Sequence, residues 1–322
     1  MNLTITNLTK AYGSNTAVAA LDHVNLVLQP AIYGLFGRNG AGKSTLLSLI
    51  ANRLLPTFGS INLDGVNVRD NEQAQSHIYL VNETLPFLWP VRVSSIFRRE
   101  ERYYGGFDWG FSARMLAQFG IEPGRAYSQL SRGQRQIVRL VAALCVPTDV
   151  VLFDEPVSSL DAASRERFYQ FVLESYASCP RTIIIATHII NEIAGVIERA
   201  IILDRGTVTD EFAAESVNSL ATTLVGDAHT VSKFITDGSF TVLTYETLGR
   251  LANVTVRGGV DANELPDGIV TSELSLQEYV IAVTEGEASA ARSALSESLP
   301  AAIETAAVAT ATTSTLFTAK GE

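Results

Sequence analysis

The chain has 322 residues, of which 47% are apolar and 18% charged, and its formal net charge is −10. This composition belongs to globular proteins and not to disordered chains, and the acidity argues against a broad basic face for nucleic-acid phosphates. The two cysteines, Cys145 and Cys179, stand far apart without CxxC spacing, so they read as free thiols of a reducing compartment.

The opening residues MNLTITNLTKAYG lack the basic head and apolar core of a signal peptide. No window holds the ~18 uninterrupted apolar residues of a membrane-spanning helix. A cytoplasmic location is expected, with any membrane role reached through a partner.

Along the chain, LTITNL, VNLVL and IYGLF alternate as strands do, and a glycine-rich turn follows at 37–42. STLLSLIANRLL then reads as a helix with Leu46, Leu47, Ile50 and Leu54 on one face. Short strands are expected over 57–81, around the turn Asp64-Gly65, and helices from about 85 to 148. The mixed-charge run Arg98-Arg99-Glu100-Glu101-Arg102 reads as a solvated face. VVLF (150–153) and TIIIAT (182–187) are apolar runs of the kind that parallel, doubly covered strands show. This alternation predicts an α/β sheet with a helical insertion. The pattern changes near residue 215, after which a helix at HTVSKFI, strands at NVTVRG and GIVTSEL, and a helix at SLQEYVIAVT predict a small α+β region. Residues 287–322 are dominated by Ala, Thr and Ser and are expected to be a mobile tail. The expected boundaries are thus 1–217, 218–286 and 287–322.

Three constellations carry chemistry. Gly37-Arg38-Asn39-Gly40-Ala41-Gly42-Lys43-Ser44-Thr45 fits G-x-x-x-x-G-K-[ST], placed after a strand and opening a helix. Such a loop turns backbone N–H groups toward phosphates at a helix N-terminus, with Lys43 as a point charge and the Ser44 hydroxyl available to Mg²⁺. In VVLFDEP, Asp154 and Glu155 end a buried strand, where a carboxylate is costly unless it meets a cation. Asp154 suits the metal, and Glu155 would point toward an attacking water; two such acids in isolation could merely cap the next helix, but the phosphate loop upstream favours the metal site. Leu130-Ser131-Arg132-Gly133-Gln134 precedes Ile137, Leu140, Val141 and Leu144 at helical spacing, which puts Ser131 at a helix N-terminus.

That pentapeptide resembles the LSGGQ signature of ATP-binding cassette proteins, with Arg132 at the first glycine. The resemblance implies a P-loop nucleotide-binding core with an antiparallel β lobe and a helical subdomain, followed here by a small C-terminal α+β region. It implies an ATPase that works with Mg²⁺, as a homodimer or with a second ATPase subunit. In this arrangement one subunit's signature closes over the γ-phosphate held by the other. The family's remaining stations fall in order: Tyr12 as the adenine-stacking aromatic, Ser159-Leu160-Asp161 as the dimer-contact D-loop, and Thr187-His188 as the switch histidine. The glutamine expected after HIYLV is Asn82, followed by Glu83, so a shortened amide would meet the metal there. The partners implied are separate transmembrane permease subunits, with the chain peripheral at the inner face of the membrane and no nucleic acid.

Within the family, the run from Tyr103 to Trp109, the LSRGQ form and the segment from Ser275 to Val280 resemble bacterial multidrug or antibiotic exporter subunits. An importer subunit, or a soluble cassette ATPase not tied to a transporter, are the alternatives.

Overall fold

The structure, a computed structural model, describes residues 1–13, 19–81, 91–261 and 265–285. It divides into two units, Met1–Val217 and Asn218–Glu322. Asn82, Glu83 and the tail from 287 lie outside the described residues.

The first unit holds two sheets. β1 (Leu3–Ala11), β2 (Ala19–Leu28), β4 (Phe58–Leu63) and β5 (Val66–Asn67) form an antiparallel sheet in the order β2-β1-β4-β5. The hairpin β4–β5 closes through Asp64 and Gly65, both at positive φ (45° and 81°). This is the turn whose twist matches the flanking strands. β3 (Ile32–Phe36), β6 (Ile78–Val81), β7 (Val150–Asp154), β8 (Thr182–Ala186) and β9 (Arg199–Asp204) run parallel in the second sheet, and β10 (Thr207–Ala213) adds an antiparallel edge to β9. Its order is β10-β9-β3-β8-β7-β6. Every residue of β3, β6 and β8 is buried, as expected for strands covered on both faces.

Helix α1 (Lys43–Ile50) packs into one apolar cluster with both sheets. Leu46, Leu47, Leu49 and Ile50 are all at most 2% exposed, and full burial of each such side chain contributes about 1.5–3 kcal/mol. The helix ends at Ile50, earlier than its apolar spacing predicts, because Asn52 takes a left-handed φ of 51°. Leu54 still packs on the core from the turn that follows. α2 (Glu72–Gln75) is a single turn capped by Asn71. α3 (Val93–Tyr104), α4 (Trp109–Gln118) and α5 (Arg132–Cys145) make the helical subdomain, and α6 (Ala162–Ser178) and α7 (Ile190–Ile193) follow β7 and β8.

The second unit is a four-stranded antiparallel sheet of β11 (Ala221–Asp227), β12 (Val242–Leu248), β13 (Leu251–Arg257) and β14 (Val270–Ser272), in the order β12-β13-β11-β14. The helix Ala228–Asp237, capped by Asp227, places Val231 and Ile235 against Leu224, Ala252, Val254 and Val256. Residues 276–285 form a second helix that buries Tyr279 and Val280. Among the described residues no helix is long and apolar enough to cross a membrane. Both cysteines are free: Cys145 is buried at the end of α5, and Cys179 is exposed as the C-cap of α6.

Arg181 is a cation inside the first unit, 4% exposed. Its guanidinium donates to the carbonyls of Leu144 (2.9 Å), Val146 (2.8 Å) and Thr148 (3.3 Å) and to Ser175 Oγ (2.8 Å). It therefore satisfies carbonyls where α5 ends, a position helices leave without intrahelical donors. Burial holds its pKa below the usual value. Arg181→Ala should strip several buried acceptors at once. An expected loss of about 3 kcal/mol in unfolding free energy is measurable by urea titration, with the slope m unchanged.

Candidate active site

The glycine loop lies where β3 turns into α1, and neighbouring backbone clamps it from two sides. A Cβ on Gly37 would stand 2.1 Å from the Leu203 carbonyl oxygen of β9. A Cβ on Gly42 would stand 2.5 Å from the Ala20 carbonyl oxygen of β2, and Gly42 has a φ of 109°. The turn between β9 and β10 closes the clamp: Gly206 N donates to Ala41 O at 3.0 Å, and Asp22 N donates to Gly206 O at 2.8 Å. Among the described residues no side chain caps the N-terminus of α1, and such an end suits an anion. Lys43, 8% exposed, curls over the loop and donates to Gly37 O (2.6 Å) and Arg38 O (3.2 Å). Its pKa is lowered by burial, and the charges of Glu155 and Asp154 act against that shift. The lysine and the strand-end acids therefore share one electrostatic site. Arg38, Asn39 and Gly40 face solvent, Ala41 is buried, Ser44 is exposed in the first turn of α1, and Thr45 is half-buried.

Asp154 ends β7, half-buried. Glu155 leaves the strand at a φ of 46°, and its N–H donates to Ala186 O of β8 at 2.9 Å. For a non-glycine residue this conformation costs on the order of 1 kcal/mol. Its Oε2 lies 2.9 Å from Nδ1 of His188 and 3.5 Å from Thr187 Oγ1. A carboxylate only accepts, so the Nδ1 nitrogen carries the proton. Thr187 Oγ1 also accepts from Ile189 N at 3.1 Å, which holds the turn that presents His188.

Ser131 is the N-cap of α5 in a reciprocal capping box: its hydroxyl accepts from Gln134 N, and Gln134 Oε1 accepts from Ser131 N, both at 3.2 Å. Leu130 is buried ahead of it, while Arg132 is exposed. Gly133 packs close to the loop after β7, since a Cβ there would meet Ser159 O at 3.2 Å. In that loop Leu160 is buried, and Asp161 caps α6 by accepting from Ser164 N at 2.8 Å. That bond holds the Asp161 carboxyl below its usual pKa. Tyr12, at the end of β1, is 53% exposed, with the Lys10 ammonium 5.2 Å from its ring centroid.

Two connections escaped the sequence reading. Buried Gln136 donates to Pro156 O at 2.9 Å, binding α5 to the residue after Glu155; a polar residue beside Ile137 and Val138 was the available signal. Arg165 and Glu192 also pair at 2.9 Å, and nothing in their local sequence marks them.

Parallel strands that carry a glycine loop on one and paired acids two places away are the build of a P-loop nucleotide hydrolase. Residues 21–158 match the family model described as ABC transporter. The bacitracin transport ATP-binding protein BcrA of Enterococcus faecalis is 25% identical over 293 residues, covering 85% of this chain and 93% of that protein. The Fe(3+) ions import ATP-binding protein FbpC of Escherichia coli is 27% identical over 278 residues, covering 83% and 79%. A dimeric post-hydrolysis state of the ATP-binding cassette MJ0796, bound to ADP and Pi, superposes with a TM-score of 0.57 at 26% identity, over 66% of this chain and 98% of that one. The chain is similar to ATP-binding subunits of ABC transporters, and it is an ATPase.

Gly42→Ala should damage this site without removing a single functional group. The strained φ and the contact with Ala20 O should lower ATP affinity about 10-fold, measured by fluorescent-nucleotide titration.

Proposed function

We propose that this subunit powers an exporter of drugs, antibiotics or other small molecules, acting through a separate transmembrane permease at the cytoplasmic face of the membrane. The near end-to-end alignment with the bacitracin transport protein carries this reading, because it runs past the cassette into the second unit. The comparable alignment with the iron importer favours the second reading, an importer subunit. Everted membrane vesicles containing the chain and its permease separate the two. ATP-dependent accumulation inside them supports export, and ATP-dependent loss from preloaded vesicles supports import.

In the proposed mechanism the loop amides of 37–45 and Lys43 hold the triphosphate, and Tyr12 stacks on adenine. Ser44 and Asp154 offer oxygen donors, and no group of three His, Cys, Asp or Glu stands ready as a metal cage among the described residues. That suits Mg²⁺, which takes few protein ligands and arrives with phosphate oxygens. Bound there, the ion would neutralise charge on the β- and γ-phosphates.

Glu155 accepts a proton from the attacking water as its oxygen bonds to the γ-phosphorus and the bond to ADP breaks. His188, held by that carboxylate through Nδ1, presents Nε2 to a γ-phosphate oxygen. Residues 130–134 of a second subunit supply the capped helix N-terminus on the other side, with 159–161 at the subunit contact. Positioning and electrostatics lower the barrier. The position of Asn82 is proposed to meet the metal and the permease-facing subdomain together.

Glu155→Gln should retain ATP affinity and reduce steady-state turnover at least 100-fold, because the amide cannot take the proton. It should also accumulate an ATP-dependent dimer in size-exclusion chromatography. Lys43→Ala should instead lose nucleotide affinity. Near-normal turnover in the first variant would remove Glu155 from this role.

A further inference from the structure

Arg165 stands in the first turns of α6, outside every motif assigned above, yet it reaches two of them. Its Nε donates to Leu160 O at 2.9 Å, inside the 159–161 loop. Its Nη1 lies 2.9 Å from Glu192 Oε1. Glu192 belongs to α7, the single helical turn that follows His188. One planar guanidinium thus spans the loop and the histidine segment with two bonds, a geometry that an ammonium cannot reproduce.

The bridge closes a ring of contacts. The 159–161 loop packs on Gly133 of α5, and α5 holds Pro156 through Gln136. Pro156 follows Glu155, which meets His188, and α7 leads from His188 to Glu192 and back through Arg165. Tyr169, one turn along α6 from Arg165, is buried and borders the same hollow as Arg165 and Glu192. Its phenol is pushed up by burial first and then by the charge of Glu192, with Glu155 also contributing. Phe168 beside it meets Phe153 of β7 edge-to-face, with centroids 5.5 Å apart, and fixes α6 against the strand that ends in the acids.

The side chains of Arg165 and Glu192 are 25% and 32% exposed, and a pair so open to solvent contributes little to folding stability. Its value must lie in placement. We infer that Arg165 is a positioning residue for hydrolysis: it ties the 159–161 loop to the helix behind His188, so that a shift of the loop is transmitted to the His188–Glu155 pair. This rests on the roles proposed for Glu155 and His188.

The test uses the full chain and reads ATPase kinetics, fluorescent-nucleotide affinity and thermal unfolding together. Arg165→Gln should lower kcat about 10-fold while KM, nucleotide affinity and the unfolding midpoint stay near wild type. Arg165→Lys should fail to restore kcat, because one ammonium cannot serve both acceptors. Glu192→Ala should reproduce the defect, whereas Glu192→Gln, which keeps an oxygen acceptor, should recover most of kcat. The double variant Arg165→Gln/Glu192→Ala should be no slower than the single ones, as expected for residues of one unit. Unchanged kcat in Arg165→Gln, additive losses in the double variant, or a kcat loss that tracks unfolding each overturn the inference. Glu155→Gln measured alongside separates the two levels. If it is inactive while Arg165→Gln is normal, only the bridge fails; if it remains active, the site reading fails and the bridge with it.

Discussion

Backbone packed on backbone is the constraint from which this site follows. The loop before α1 runs so close to the carbonyls of Leu203 and Ala20 that no side chain fits at Gly37 or Gly42. The two contacts come from different sheets, β9 of the parallel one and β2 of the antiparallel one. The apolar helix α1 fills the space between those sheets, so the loop inherits the rigidity of a core. Phosphate binding by amides depends on such rigidity, because a loop that had to order itself on binding would lose the free energy it gained.

The second half of the site uses strain where the first uses packing. Glu155 occupies a left-handed conformation that most side chains avoid, immediately after a strand whose preceding residues are buried. That turn directs its carboxylate to His188. A relaxed extended residue would have sent alternate side chains to opposite faces of the sheet. The cost is small against the several bonds that hold this region: Glu155 N to Ala186 O, Gln136 Nε2 to Pro156 O, and Ile189 N to Thr187 Oγ1.

Much of the cassette was legible in the sequence because its parts are contiguous. A glycine loop needs its glycines at fixed spacing, and a capping box needs Ser131 and Gln134 three residues apart. The fully buried strands announce themselves as short apolar runs. What was not legible lies between segments. Arg165 and Glu192 are separated by 27 positions, and either alone reads as an ordinary surface charge. The end of α1 was misplaced because Leu54 continues the apolar spacing after the backbone has already turned at Asn52. In the second unit β12 gave no alternation to read, since most of its residues are exposed on both faces. β11 is built around Thr222 and Thr223, which are buried although polar. There Thr223 Oγ1 meets Thr255 Oγ1 at 3.2 Å, so the hydroxyls answer each other across the strands.

The two cysteines differ in a way that has a practical use. Cys145 is enclosed at the end of α5, and burial raises its thiol pKa far above the ordinary range, so it resists alkylation. Cys179 is exposed at the far end of α6, the helix that begins at Asp161 and carries Arg165. The native chain therefore presents a single accessible thiol, placed on the helix that follows the 159–161 loop. A spin label or fluorophore attached there would report the movement of α6 through a turnover cycle, with every other residue left as it is.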